Sequence, residues 1–317
     1  MKRKLLFLLI VAASFPGTRN PAPLFAAGGV GTTAAPFLKI GMGARALGMG
    51  GAFSAIADDA TAVYWNPAGL AAVSSDEVNF DFAKYFQDVN IGQAAYTRKV
   101  GAGQMGVGLT YLIVPSIEKR DTNDAVGVVP SQGTFNASDA ALSVAYARKN
   151  AIPSLIDDVD GGAAFKVIRS AIGSKSAIAV AVDLGATVRA KNGMRFALGV
   201  QNLGTPMKFD KVSDPLPLSL RAGAAYEPVK ALTLGLTLDQ YLIDQKFYAA
   251  FGGEYWLRDA LALRAGYRYG YDTIHLGAMT GISLGIGIKV NGLGLDYAYV
   301  PFGDLGDTHR FGFWMKF

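Results

Sequence analysis

The feature that most constrains this chain is an alternation of apolar with small or polar residues. It recurs along most of the sequence and never lengthens into a continuous apolar run. It is cleanest over Ile282, Leu284, Ile286, Ile288 and Val290, between which stand Ser283, Gly285, Gly287 and Lys289. Successive strand side chains point to opposite faces, so a period of two makes a ribbon with one greasy face and one small or polar face. The same texture runs through Leu232, Leu234, Leu236 and Leu238, through Leu261, Leu263, Ala265, Tyr267 and Tyr269, and through Leu293, Leu295, Tyr297 and Tyr299. Weaker versions lie at 78–86, 90–99, 103–114, 138–148, 162–170, 177–189, 194–203, 216–226, 246–257 and 308–317. This predicts about fourteen strands, an even number that lets a single antiparallel sheet close on itself.

The connections alternate in length. Short turns are predicted at Lys191-Asn192-Gly193, Glu227-Pro228-Val229-Lys230, Arg258-Asp259 and Asn291-Gly292, the last a strong hairpin dipeptide. Longer connections intervene at 115–137, 204–215, 239–245, 270–280 and 300–307. Short turns at one end and long loops at the other is the asymmetry of an outer-membrane barrel. The segment 149–161, with Pro153, Asp157, Asp158 and Asp160, breaks the pattern by being long at the short-turn end.

A soluble β-sandwich shows alternating strands too, but its interior is dry. Here the predicted inner face carries Asp183, Arg189, Arg195, Arg221, Asp239, Glu254, Arg264, Arg268, Lys289, Asp296 and Arg310. A sandwich core could not hold so many ions, whereas a lumen lets them pair across strands or meet water. Composition agrees: hydrophobic residues make up 51% and charged residues only 17%, against roughly 25% in a typical soluble domain. Tyr226, Tyr241, Tyr255, Trp256, Tyr269, Tyr271 and Tyr299 near strand ends suit interfacial girdles. The last strand, Arg310 to Phe317, puts Phe311, Phe313, Met315 and Phe317 on one apolar face and must pair with the first to remove open edges.

Two segments do not alternate. Lys2, Arg3 and Lys4 precede the apolar run Leu5–Ala13, the pattern of a secretory signal, with cleavage expected near Ala26 or Ala27, or at Ala13. The expected division is therefore a signal peptide over 1–27, a plug over 28–75 and an outer-membrane β-barrel over 76–317. Within 36–72, Gly41 to Ala46 matches the dinucleotide fingerprint, but neither the strand before it nor the long helix after it that nucleotide binding requires is present. Glycines there let backbone pack closely in a narrow lumen. Asp58 or Asp59 is expected to cap a short helix over 59–64, a metal pair at these two lacks a third ligand, and Pro67 is expected to begin a second short helix after Asn66. A ring of about fourteen strands is wider than its own side chains can fill, and this segment is the natural obstruction.

No enzyme is expected. There is no Cys, and the two His residues, His275 and His309, lie near predicted loops without an evident nucleophile to activate. No cofactor is implied, and the net charge of +5 contains no basic block that would mark a nucleic-acid binder.

The plug segment resembles the fatty-acid-transporter-like outer-membrane barrels. The likeness is carried by Gly48-Met49-Gly50-Gly51-Ala52, Ala57-Asp58-Asp59-Ala60 and Tyr64-Trp65-Asn66-Pro67-Ala68-Gly69-Leu70. Within that superfamily the chain is most similar to the PorV/PorQ family, through Gly31-Thr32-Thr33-Ala34, Phe37-Leu38-Lys39-Ile40-Gly41, Gly43-Ala44-Arg45-Ala46 and the stretch from Leu295 to Gly306. The resemblance implies an outer membrane of the Gram-negative type and a hatch with an Asn-Pro-Ala motif plugging a fourteen-stranded barrel. Its motif residues here are Arg45, Asp58, Asp59, Trp65, Asn66, Pro67, Ala68 and Gly69. It also implies a role in type IX secretion, either binding the C-terminal domains of exported cargo or docking beside the translocon. The alternative it carries is passive uptake of hydrophobic small molecules. Outer-membrane lipid and the barrel-assembly machinery are the further expected partners, since a strand ending in Phe317 resembles the signal that machinery reads.

Overall fold

The period-two segments pair as antiparallel neighbours because alternate residues bury one face while the chain reverses at tight turns. In the computed structural model, which describes residues 31–120, 131–151, 158–271, 273–277 and 279–317, fourteen strands close into one barrel. They are β1 (Glu77–Lys84), β2 (Asn90–Val100), β3 (Gly103–Glu118), β4 (Thr134–Arg148), β5 (Val159–Ile172), β6 (Lys175–Arg189) and β7 (Arg195–Gly204). The second half comprises β8 (Ser219–Val229), β9 (Leu232–Tyr241), β10 (Lys246–Leu257), β11 (Leu261–Tyr269), β12 (Ile282–Val290), β13 (Leu293–Pro301) and β14 (Asp307–Lys316). Each strand pairs with its neighbour in sequence, and β14 returns to β1 in the register Phe313↔Phe80 and Lys316↔Glu77, which leaves no open edge. The predicted strands are all present, several of them longer than the alternation indicated. β3 and β4 continue past a register shift between Val114 and Ile117 to Glu118↔Thr134, so the 115–137 loop is shorter than expected.

Turn chemistry explains the short rim. Asn291 and Gly292 adopt left-handed backbone at φ 48° and 82°, the geometry that matches the twist of a hairpin. Arg258 and Asp259 do the same at φ 53° and 56° without a glycine. Both ends of the barrel chain, Glu77 and Lys316, lie at this rim. The opposite rim carries the long loops and one tight turn at 173–174. There the sequence missed a small two-stranded hairpin, Met207–Lys208 with Ser213–Asp214. Of the anomalous segment 149–161, β5 claims the end from Val159 onward, and residues 152–157 lie outside the described residues, as does the expected signal over 1–27.

The greasy faces point outward. On β12, Leu284, Ile286 and Ile288 are exposed while Ser283 is buried, and on β14 Phe311 and Phe313 are exposed while Arg310 and Gly312 are buried. No helix among the described residues is long and apolar enough to cross a bilayer, so the strands carry the lipid contact. The aromatic expectation needs correction. Tyr226, Tyr255 and Tyr269 are exposed on the outer wall, but Tyr241 is buried, Trp256 lies on the inward set beside Arg264, and Tyr271 packs on Tyr248 and Phe302 inside the mouth. A strand end offers both faces, and proximity to the end does not say which one a ring takes.

Candidate functional site

The lumen is filled by residues 33–73. Gly43 takes a left-handed φ of 85° and opens helix α1 (Ala44–Gly48), whose first amide, Ala44 N–H, donates to Asp81 on β1 at 2.9 Å. The chain then turns through Gly50 and Gly51, reaches helix α2 (Ala62–Trp65) and continues from Asn66 into a 3-10 turn over Pro67–Ala72. α1 lies against β11 to β14, whereas the 3-10 turn lies against β3 to β6, so the segment spans the lumen from wall to wall. Ala46, Met49, Phe53, Ala60, Ala62, Trp65 and Leu70 are all essentially excluded from solvent.

Close approach explains the inward glycines. A Cβ on Gly266 would lie 2.1 Å from the carbonyl carbon of Met49, and one on Gly252 would lie 2.2 Å from the Met49 oxygen. A Cβ on Gly235 would meet the Ala52 oxygen at 2.3 Å, and on Gly162 the Ala68 nitrogen at 2.5 Å. Around much of the ring, then, plug backbone rests directly on strand backbone, with no room for a methyl group.

Ion pairs hold the two parts together. Arg45 Nη1 donates to Asp58 at 2.7 Å and to Asp59 at 2.8 Å, while its Nε and Nη2 grip Glu254 of β10 at 3.0 and 2.9 Å. The fork of a guanidinium suits this two-sided grip. Glu254 also accepts from Arg264 Nε at 2.7 Å, Arg264 donates on to Asp296 at 2.6 Å, and Asp296 accepts from the Trp314 indole at 2.9 Å. Burial opposes the charge on Arg45, yet the carboxylates of Asp58, Glu254 and Asp59 outweigh that cost and hold its pKa well above the usual guanidinium value. A second cluster joins Arg221 and Arg268 to Asp239, and Arg221 also donates to the Trp65 carbonyl at 2.9 Å. Lys166 and Asp183 form a third pair at 2.6 Å. Most of the inward charges seen in the sequence are thus buried and paired, as low-dielectric ions must be. Arg189 and Lys289 instead stand exposed at the short rim.

The Asn-Pro-Ala-Gly stretch is a local device. Asn66 Oδ1 accepts from Ala68 N–H at 3.1 Å, capping the 3-10 turn, while its Nδ2 donates to the Ser54 carbonyl at 3.0 Å. Pro67 occupies the first turn, where its missing N–H is harmless. A Cβ on Gly69 would fall 2.2 Å from the Ala57 oxygen. Trp65 donates from its indole to the Met42 carbonyl at 2.9 Å, stacks edge-on to Phe53 and lies under the Arg221 guanidinium at 5.2 Å. Tyr64 donates to the Ile40 carbonyl at 2.8 Å, and burial pushes its phenol up to about 12.

The capping expectation fails for Asp58 and holds for Asp59 only at the turn that precedes the helix. α2 starts at Ala62 with no side-chain cap, and Asp59 instead accepts from the Thr61 N–H and hydroxyl. Asp59 thus divides its two oxygens, one to the Thr61 N–H and hydroxyl and one to Arg45, while Asp58 goes to Arg45. His309 is a strand residue of β14, with Nδ1 at 2.7 Å from the Tyr297 hydroxyl, rather than a loop residue.

Sequence reasoning missed the loop contacts that close the mouth. Ala34 N–H donates to Pro215 O at 2.9 Å, Met207 and Leu216 are buried beside Phe37 and Leu38, and Lys39 pairs with Asp244 at 3.0 Å. Met207, Phe209 and Leu216, apolar residues in a long loop, were the available signal. Across the mouth, Tyr85, Phe86, Tyr271 and Phe302 pack ring on ring. The two best-formed cavities have volumes of about 10 Å³ each, room for a single water. No cluster of metal-ligating side chains occurs among the described residues. The assembly is a clamp between plug and wall.

Comparison with known proteins agrees with this architecture. The toluene transporter TbuX of Ralstonia pickettii superposes with a TM-score of 0.63 at 14% identity, covering 87% of this chain and 98% of that one. The P. putida toluene transporter TodX gives 0.60 at 13% identity, covering 87% and 99%. A Pseudomonas aeruginosa FadL homologue gives 0.56 at 12%, covering 86% and 97%. At such identities the likeness is one of fold. No curated protein sequence matches the chain. The family model described as type IX secretion system protein PorV matches residues 26–243, well over half the chain. The chain therefore belongs to the PorV family of the type IX secretion system, as a non-enzymatic outer-membrane barrel of FadL-like fold.

Proposed function

We propose that this barrel serves type IX secretion as a docking barrel, engaging exported cargo or the translocon through its long-loop rim rather than passing a solute through its lumen. The observation that carries the reading is the sealed interior. Plug backbone lies directly on wall glycines, Arg45 bridges plug to wall, and the two best-formed cavities among the described residues hold about one water each. A client must then be met outside the ring, and the rim with the long loops offers the surface. In this reading residues 1–27 are the cleaved signal, 28–75 the plug and 76–317 the barrel. Arg45, Asp58, Asp59, Trp65 and Asn66–Gly69 keep the plug seated. Phe311, Phe313, Met315 and Phe317 are the face presented to the barrel-assembly machinery during insertion. Cross-linking in native membranes followed by affinity purification tests the reading: a translocon component or an exported chain is expected to co-purify, and recovery of neither refutes it.

One observation favours the second reading, passive uptake of a hydrophobic compound. The cavity beside Trp65, Asn66 and Pro67 also touches Leu184 and Leu198 of the outer wall, where Gly185 of β6 and Gly199 of β7 face each other. In the cysteine-free chain, a disulfide between Asn66→Cys and Gly185→Cys would lock the plug to the wall. Uptake of an aromatic compound should then fall on oxidation and recover on reduction, and uptake that ignores the lock counts against a route here.

A further inference from the structure

The charges of the short-turn rim remain unexplained by the plug. Every connection on this rim carries or adjoins a cation: Lys99 beside 101–102, Lys149, Lys191, Lys230, Arg258, and Lys289 beside 291–292. All six are exposed, and among the described residues none has an ion-pair partner. On the opposite rim, Lys39, Lys84, Arg120 and Lys175 each sit against a carboxylate, while exposed Lys119, Lys208, Lys211 and Lys246 have no ion pair among the described residues. Two further arginines show where the basic ring stands relative to lipid. Arg98 follows Tyr96 on the outward set of β2, and Arg148 follows exposed Tyr146 on the outward set of β4. In both strands an aromatic ring is succeeded, two residues nearer the rim, by a guanidinium. Two residues of strand span about 6.6 Å, roughly the step from the acyl boundary to the phosphates. Tyrosine sits at that boundary and cations extend toward the headgroups beyond it.

We propose that the short-turn rim is a binding ring for anionic phospholipid headgroups. The leaflet concerned is the periplasmic one, because outer-membrane barrels hold their short turns there and because that leaflet consists of phospholipid. Lys149, Lys191, Lys230 and Arg258 at the turns, with outward Arg98 and Arg148 on their strands, are distributed around the ring, a geometry that matches a surrounding lipid annulus. An acidic protein would engage one side of the rim and leave the cations on the far side without a partner.

The test uses the purified barrel in nanodiscs of phosphatidylcholine mixed with phosphatidylglycerol, with retained lipid read by native mass spectrometry. Phosphatidylglycerol is expected to be enriched over phosphatidylcholine, and the enrichment to fall with added salt. In a variant carrying Lys149→Gln, Lys191→Gln and Lys230→Gln, enrichment should drop by about fivefold for each cation removed. Equal retention of the two lipids by the wild-type barrel overturns the proposal, as does undiminished enrichment in the folded variant. Displacement of the lipid by soluble poly-glutamate would assign the ring to an acidic polypeptide and overturn it as well. Should the variant fail to fold, the salt titration on the wild-type barrel decides alone.

Discussion

Glycine shows at single-residue scale how far sequence reading reaches. Gly235, Gly252 and Gly266 were legible as inward positions, because they fall on the small phase of the alternation. Their reason was not, since the atoms that exclude a Cβ belong to Met49, Gly50 and Ala52, far away in sequence. The same holds for Arg45, which stood out as a motif residue while its partner Glu254 lay 209 positions on. Gly266→Ala puts a methyl group 2.1 Å from the Met49 carbonyl carbon. Strand pairing on either side, Gly266 with Gly252 and with Ser283, does not need that space. The variant is expected to insert and fold as the wild type does, read by circular dichroism, but to conduct ions in planar bilayers above the wild-type level. Conductance equal to wild type would show that the seat has slack.

At the scale of elements, the strands were readable because each needs only its own period of two, reinforced by the turns that flank it. The short helix expected over 59–64 and the turn begun by Pro67 are present as α2 and the 3-10 turn, whereas α1 was not readable, since five residues give no periodicity to recognise and its N-terminal partner is Asp81 of the wall instead of a local side chain. The hairpin at Arg258-Asp259 obeys the geometry of Asn291-Gly292 with less suitable residues, both held left-handed. A left-handed conformation costs a non-glycine residue about 1 kcal/mol. Asp259→Gly relieves that strain at the price of some unfolded-chain entropy, so a net gain of about 0.5 kcal/mol is expected in reversible urea unfolding from lipid vesicles. A loss of stability would mean that the Asp259 side chain does something at the rim beyond filling a turn.

At the scale of the whole molecule, fold class and family followed from the alternation and the plug motifs, whereas the sealing of the mouth did not. That sealing depends on three loops far apart in sequence meeting over residues 33–42. The plug also touches both strands of the closing seam. Ala44 and Ala60 donate to Asp81 and Glu77 on β1, and Arg310 on β14 donates to the Gly41 carbonyl at 3.1 Å. Tethering supplies an effective concentration on the order of millimolar, so residues 28–75 added as a separate peptide at about 10 µM should fill a barrel starting at 76 roughly a hundredfold less well. Protease protection of the peptide measures this, and protection equal to that of the intact chain would sink the expectation.

Because the stopper grips both edges of that seam from within, a ring that closes around it holds it better than a ring filled afterwards. The chain is wound like thread on a bobbin, and the bobbin is the stretch that comes before the first strand.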